Sequence, residues 1–238
     1  MKHPAQILEL ALFDFFSGKD KCPELLIHNK FDVPDLMLPD VYFRDFSEMP
    51  DLEVFAMDLC KGRILDVGAG VGAHSKYLQD LEKDVTAIDI SEVVCQIMER
   101  QGIANVVNAD YYLFEDQQKF DTLLFLMNGI GFSGTISGIK RLLDHARNLL
   151  NPEGIILFDS SDVAYLWDEG RLDKEPYYGE IEYRYQYGDL WGDWFHWLYI
   201  DAERMRNECN INGWDMQLVY EDETDHYLGR LTMRRLKG

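Results

Sequence analysis

The sequence predicts an α/β fold, a mostly parallel sheet with helices on both faces. Three observations carry that prediction. Short apolar runs alternate with segments of helical periodicity from residue 62 to residue 160. The run Arg63-Ile64-Leu65-Asp66-Val67 leads directly into glycines on alternate positions, Gly68, Gly70 and Gly72. A buried strand that turns tightly into a helix needs such a turn. The runs at 120–127 and 154–158 are apolar almost throughout, as strands covered on both faces are.

The elements follow in order. Ile7, Leu10, Ala11 and Phe15 recur at helical spacing, which predicts a first amphipathic helix over 6–16. Residues 18–39 are rich in Pro, Asp, Asn and Lys and read as loop. A second helix is expected over 50–60, ending near Gly62. Strand 63–67, helix 72–81, strand 85–88 and a helix to residue 100 follow, the last capped by Ser91. Strands at 105–108 and 120–127 precede a helix over 136–150, which Asn151-Pro152 stops before strand 154–158. Ile181, Tyr183, Tyr185 and Tyr187 then alternate with polar residues, and 194–200 reads as the returning strand of an aromatic hairpin. Asp201 caps a helix to about residue 212, and 216–220 with 227–234 read as a hairpin. The expected organisation is a single domain over 1–238. It comprises an N-terminal helical cap (1–61), a ligand-binding core (62–160), a substrate-side insertion (161–200), and a last helix and hairpin (201–238).

Composition bounds the function. The 238 residues are 47% hydrophobic, ordinary for a globular protein. No apolar run approaches the roughly 20 residues needed to span a bilayer. The N-terminus lacks the layout of a signal peptide, so a cytoplasmic location is expected. Cys22, Cys60, Cys95 and Cys209 are scattered without a C-x-x-C pair, which predicts buried reduced thiols and no metal site. The net charge is −20, from 23 basic and 43 acidic residues. Such a surface repels phosphate backbones, and the cluster Arg234, Arg235 and Lys237 reads as a solvated end. Nucleic acid is therefore disfavoured, and neutral or cationic small molecules are favoured. Nothing in the sequence signals an oligomeric state.

The glycine turn admits two readings. Gly68, Gly70 and Ala73 satisfy G-x-G-x-x-G/A, the nicotinamide-dinucleotide pattern. Asp66 opposes it, because a carboxylate there would repel a pyrophosphate. The run Asp66-Val67-Gly68-Ala69-Gly70-Val71-Gly72 resembles motif I of the class I S-adenosylmethionine-dependent methyltransferases. Asp89, twenty-three residues after Asp66, ends the second core strand, where an acid can accept from both ribose hydroxyls. Asp110-Tyr111 and the segment 120–131, with Asn128-Gly129, resemble the later motifs of the same family. Asn151-Pro152-Glu153-Gly154 resembles the turn before its fifth strand, with Glu153 replacing a glycine.

The resemblance implies a Rossmann-like, seven-stranded sheet closing on the terminal antiparallel hairpin, and S-adenosylmethionine as cofactor with S-adenosylhomocysteine as product. It implies that Asp66 lies near the cofactor's amino-acid end and that Gly68, Ala69, Gly70 and Gly72 also bind the cofactor. Ile90 would flank the adenine, Asp110 bond its amino group, Tyr111 pack on its ring, and Asn128 close the fourth strand beside the cofactor. The expected activity is methyl transfer to N or O of a small molecule. A nicotinamide-dependent oxidoreductase and a methyltransferase fold that binds cofactor without catalysis are the competing readings, and protein or tRNA as acceptor stays open. Arg44 is a candidate clamp for a carboxylate of cofactor or substrate, or else an ion-pair partner of Asp45 or Glu48. His196, Asp159 and Tyr185 are candidate bases, and His74 reads as structural or solvent-facing.

Overall fold

The computed structural model describes residues 3–167 and 175–234. Helix α1 (Pro4–Phe16) starts at a capping box between His3 and Gln6. Strands β1 (Leu25–His28) and β2 (Asp35–Met37) and helix α2 (Asp51–Leu59) follow. The core then alternates: β3 (Arg63–Val67), α3 (Ala73–Asp80), β4 (Asp84–Asp89), α4 (Glu92–Arg100) and β5 (Val106–Asn108). It continues with β6 (Phe120–Phe125), α5 (Ile136–Leu149) and β7 (Leu150–Ser161). Next come β8 (Glu180–Tyr187), β9 (Leu190–Trp191) and β10 (Phe195–Leu198). The C-terminal part is α6 (Ala202–Ile211), β11 (Trp214–Glu221) and β12 (His226–Met233).

Seven strands form one sheet in the order β11-β12-β7-β6-β3-β4-β5. Its β3, β4, β5, β6 and β7 pair in parallel, and β12 and β11 close it antiparallel. Adjacent residues of β3 enter opposite cores. Ile64 joins Met57 of α2 and Leu78 of α3, while Leu65 joins Leu142 of α5 and Met205 of α6. Both faces are thus buried, which is why the parallel strands read as continuous apolar runs. Strand order reverses between β3 and β6, and the carboxyl ends of β3 and β4 open into the crevice where open α/β sheets bind ligands.

A second sheet, β10-β8-β1-β2 with β9 paired to β8, lies over that crevice. The N-terminal section therefore contributes strands as well as helices. The segment 18–39, expected as loop, carries β1 and β2, because Leu25, Leu26 and Ile27 find their hydrogen-bonding edge on Tyr187, Gln186 and Tyr185 of β8. That partner is distant in the chain, so local composition could not signal it. The strand expected at 154–158 is likewise longer, extended by pairing with β12 as far as Ser161.

One further expectation is corrected, and another holds for the one residue it can be checked on, since Arg234 is exposed. Cys60, Cys95 and Cys209 are buried free thiols, but Cys22 is exposed. In the basic C-terminal cluster Arg234 is bound to Asp215 and Asn210, while Arg235 and Lys237 lie outside the described residues. Among the described residues no helix is long and apolar enough to cross a membrane.

Candidate active site

A cavity of about 580 Å³ opens at the carboxyl ends of β3 and β4, within the usual size of small-molecule sites. Asp66, Gly68, Ala69 and Gly70 line one side of it, with Asp89, Ile90, Asp110 and Tyr111 further along. Helix α1 closes it with Leu8 and Glu9, and β8 and β10 bring Tyr185, Phe195, His196 and Trp197. Residues far apart in the chain meet here because the crevice lies between the two sheets.

The turn after β3 has a definite hydrogen-bond logic. Gly68 and Ala69 both donate their N–H to the carbonyl of Ile88, at 2.9 and 3.0 Å. Gly70 donates to Asp89 Oδ2 at 3.1 Å, and Ser91 donates to Asp89 Oδ1 at 2.9 Å. Gly72, at the N-cap of α3, has φ +88°, which only glycine adopts without strain. It does not line the cavity; it sets the entry of the helix. The N–H groups of Gly68, Ala69 and Gly70 in this turn are thus satisfied internally.

Burial pushes the Asp89 carboxyl up to about 6, against the lowering effect of the Ser91 and Gly70 N–H groups. Each Asp89 oxygen holds one backbone donor and keeps acceptor capacity for another. Asp66 is 2% exposed and accepts from Ser75 Oγ at 2.7 Å. Burial is the main cause that raises its carboxyl, opposed by His74 and Ser75. Asp110 accepts from the Tyr112 N–H at 2.8 Å. Tyr111 is buried, donates to the Leu142 carbonyl at 3.1 Å and stands edge-on to Phe125.

Beyond β6 the backbone is strained. Met127 and Asn128 both have positive φ, +58° and +54°, beside the cavity. Paired non-glycine residues in this region persist only where the surroundings hold them. Asp159 does this: both its oxygens accept from the Asn128 N–H at 3.0 Å, and His226 Nε2 lies 2.7 Å from Oδ2. Asp159 is 2% exposed and is not on the cavity wall, so it positions the turn instead of facing a ligand. Asn128 Nδ2 donates to the Leu198 carbonyl at 3.1 Å, and its Oδ1 is buried without a hydrogen bond.

Arg44 is not on the wall either. It pairs with Glu53 on α2, and not with Asp45 or Glu48. His74, expected to be structural or solvent-facing, is 5% exposed and does line the cavity, with Nε2 at 2.7 Å from Glu53 Oε2. Tyr185 lines it, and burial raises its phenol well above the ordinary value. His196 lines the mouth and is exposed. Glu9, Tyr42 and Trp197 are wall residues that local reading missed. A helix, a short turn and an insertion strand carry them, and only the aromatic composition of the 177–199 segment hinted at the last.

These residues fit S-adenosylmethionine better than a dinucleotide. Among the described residues no Lys or Arg lines the cavity, and the N–H groups of Gly68, Ala69 and Gly70 are already committed, so a doubly negative pyrophosphate finds no ammonium or guanidinium there and no cradle in these three residues. The acids Asp66, Asp89 and Asp110 suit a ligand bearing a sulfonium, an ammonium, ribose hydroxyls and an adenine amine. A Cβ on Gly70 would meet the Tyr42 ring at 3.7 Å, an ordinary contact, so it is the φ of +57° and not the space that calls for glycine here.

Comparison with known proteins agrees with this geometry. The chain is 35% identical to a S-adenosylmethionine-dependent methyltransferase from Bacteroides fragilis, solved in complex with S-adenosyl-L-homocysteine. The match covers 99% of this chain and 98% of that one, with a TM-score of 0.89. The chain belongs to the S-adenosylmethionine-dependent methyltransferases. Residues 64–154 of the methyltransferase match a family model described as a methyltransferase domain. It is 27% identical over 123 residues to glycine/sarcosine N-methyltransferase of Aphanothece halophytica, covering 49% of this chain and 46% of that protein. The chain spans about half the length of the curated relatives it matches. The CcbJ methyltransferase of Streptomyces caelestis shares the fold at 14% identity and TM-score 0.60, over 82% of this chain and 96% of that one. The cofactor is S-adenosylmethionine.

One prediction concerns the wall of this methyltransferase. A Cβ on Gly131 would come within 2.1 Å of Trp197 Nε1 and 2.5 Å of Cδ1. The rigid indole cannot yield locally. Gly131→Ala is expected to destabilise the fold by about 1–3 kcal/mol, as overpacking does, and to change tryptophan emission. S-adenosylhomocysteine affinity should be unchanged. Denaturant unfolding with an emission scan checks this; an unaltered spectrum would mean that the indole does not pack on Gly131.

Proposed function

We propose that this enzyme transfers the methyl group to N or O of a neutral or cationic small molecule, held between the motif I turn and the aromatic wall of Tyr185, Phe195 and Trp197. One observation supports it above the others: the aromatic strands of the second sheet line the same cavity as Asp66 and Asp89. The bound cofactor supplies an electrophilic methyl on sulfur. The protein's task is then to hold an acceptor atom in line with it, and such positioning can supply ~7–11 kcal/mol of the barrier. Aromatic rings exclude water and bind a planar or cationic acceptor by face.

The acceptor must also lose a proton. Buried Tyr185 holds its own proton firmly, so it orients by donating a hydrogen bond and does not serve as a base. Asp159 is engaged by Asn128 and His226. That leaves His196 at the mouth as the proton acceptor we favour. The absence of Lys and Arg from the described wall argues against phosphorylated acceptors and agrees with the charge of −20. The relative named for glycine and sarcosine supports a small amine. Four free thiols suit a reducing, cytoplasmic setting.

The test is methyl transfer from labelled cofactor to a panel of small amines, alcohols and phenols. His196→Ala is expected to lower kcat on the best acceptor by about 10²–10⁴-fold, the usual worth of a placed base, with cofactor affinity intact. Full activity in that variant would remove His196 from the mechanism. Transfer only to protein or RNA would overturn the substrate class.

A further inference from the structure

S-adenosylmethionine ends in a carboxylate at the pole opposite its adenine. If the ribose takes Asp89 and the adenine lies towards Asp110, as the family resemblance implies, that pole would lie by Asp66 and the start of α3. With the cofactor's ammonium facing Asp66, the carboxylate beside these buried acids is stabilised by a positive charge from the protein. Among the described residues no Lys or Arg lines the cavity, and Arg44 points to Glu53. The cation at this pole must come from elsewhere.

We propose that His74 is the anchor for the cofactor carboxylate, and that Glu53, itself held by Arg44, orients His74 and keeps it charged. This rests on the identity of the cofactor and not on that of the methyl acceptor. His74 sits on the first turn of α3, lines the cavity and is 5% exposed. Its Nε2 is 2.7 Å from Glu53 Oε2, so Nδ1 is the ring nitrogen left for a ligand. Glu53 is 4% exposed and reaches Arg44 through its other oxygen, Oε1. An acid this deeply buried on α2 is otherwise hard to explain, since α2 packs its apolar face on the sheet. Arg44 already balances Glu53, so the charge on His74 faces Asp66 and a bound ligand rather than Glu53 alone.

The titration agrees in sign. Burial lowers the imidazole and Arg44 lowers it further, but the Glu53 hydrogen bond and the charges of Asp66 and Glu53 outweigh them, so it stays above its ordinary value. His226, on β12, also bears on Glu53 through its charge. The His74 cation is present below its raised pKa and is lost as pH rises through it, so carboxylate recognition weakens at alkaline pH.

The test is calorimetric titration of the full chain with S-adenosylhomocysteine and with its decarboxylated analogue, S-adenosyl-3-thiopropylamine. Both carry the same ribose, so effects at Asp89 cancel in the ratio of affinities. His74→Asn is expected to weaken S-adenosylhomocysteine binding by about 10- to 100-fold, the worth of a hydrogen bond between charged groups, and to leave the analogue's affinity unchanged. Glu53→Gln should move the pH at which the ratio falls downward. Equal loss for both ligands in His74→Asn, or no loss for either, overturns the proposal. If that variant does not fold, the wild-type ratio decides: a fall in preference for S-adenosylhomocysteine with rising pH supports the anchor, and a flat ratio overturns it. Failure of both ligands to bind the wild-type chain would instead overturn the cofactor assignment, and the anchor with it.

Discussion

Asp89→Ala is expected to weaken S-adenosylhomocysteine binding by about 1.5–3 kcal/mol, the worth of hydrogen bonds to a charged acceptor. That is roughly 10- to 150-fold in affinity. The carboxylate accepts from the N–H groups of Gly70 and Ser91, one on each oxygen, and keeps acceptor capacity that we propose the ribose diol takes up. Alanine removes these acceptors and also frees the Gly70 N–H. Calorimetry on the folded variant measures the loss; an unchanged affinity would displace the ribose from this strand end. The same carboxyl predicts a pH dependence. Burial raises it to about 6, so in the free protein it binds a proton that the unfolded chain releases near 4. Its contribution to stability is therefore present at low pH and lost as pH rises from about 4 to about 6. Ribose hydroxyls favour the anion, so binding should tighten as pH rises through about 6 and release a proton there. Titrations in buffers of different ionisation enthalpy will detect that proton.

Phe158→Ala is expected to destabilise the protein by about 3–5 kcal/mol, the cost of emptying a fully buried aromatic site. Phe158 is 0% exposed on β7, directly opposite Gly229 of β12. A Cβ on Gly229 would come within 2.4 Å of its ring, so the ring occupies the space that the glycine leaves free. It also stands edge-on to Tyr227 at 5.9 Å. Because β7 is the hinge between the parallel strands and the antiparallel pair, the cavity loosens both. Denaturant unfolding measures the effect. A loss below about 1 kcal/mol would mean that the sheet collapses onto the gap.

Much of the core was legible in the chain because its signals are local. Asp66-Val67-Gly68 marks a strand end and a tight turn within a few residues, and Asn151-Pro152 marks a helix end in two. Ser91 and Asp201 cap their helices as read, accepting from the N–H groups of Val94 and Arg204. The segment 18–39 was not legible, because β1 exists only through β8. The roles of acids and bases were harder still. Arg44 and His74 are ordinary residues in sequence, and only folding sets both against Glu53. Asp159 looked available for chemistry, yet the fold turns it toward Asn128 and His226.

The division follows from the range of the forces. Chain-local physics, namely apolar periodicity, glycine torsions and helix capping, settled the alternating α/β core and the ligand-binding turn, while the seven-stranded sheet and the cofactor followed from the family resemblance. Only the tertiary structure decided which aromatic strands roof that turn, that Arg44 is held away from it, and that His74 faces into it. Those outcomes depend on pairing and burial between residues distant in the chain, and the cost of burying a charge is defined only once its neighbours are in place.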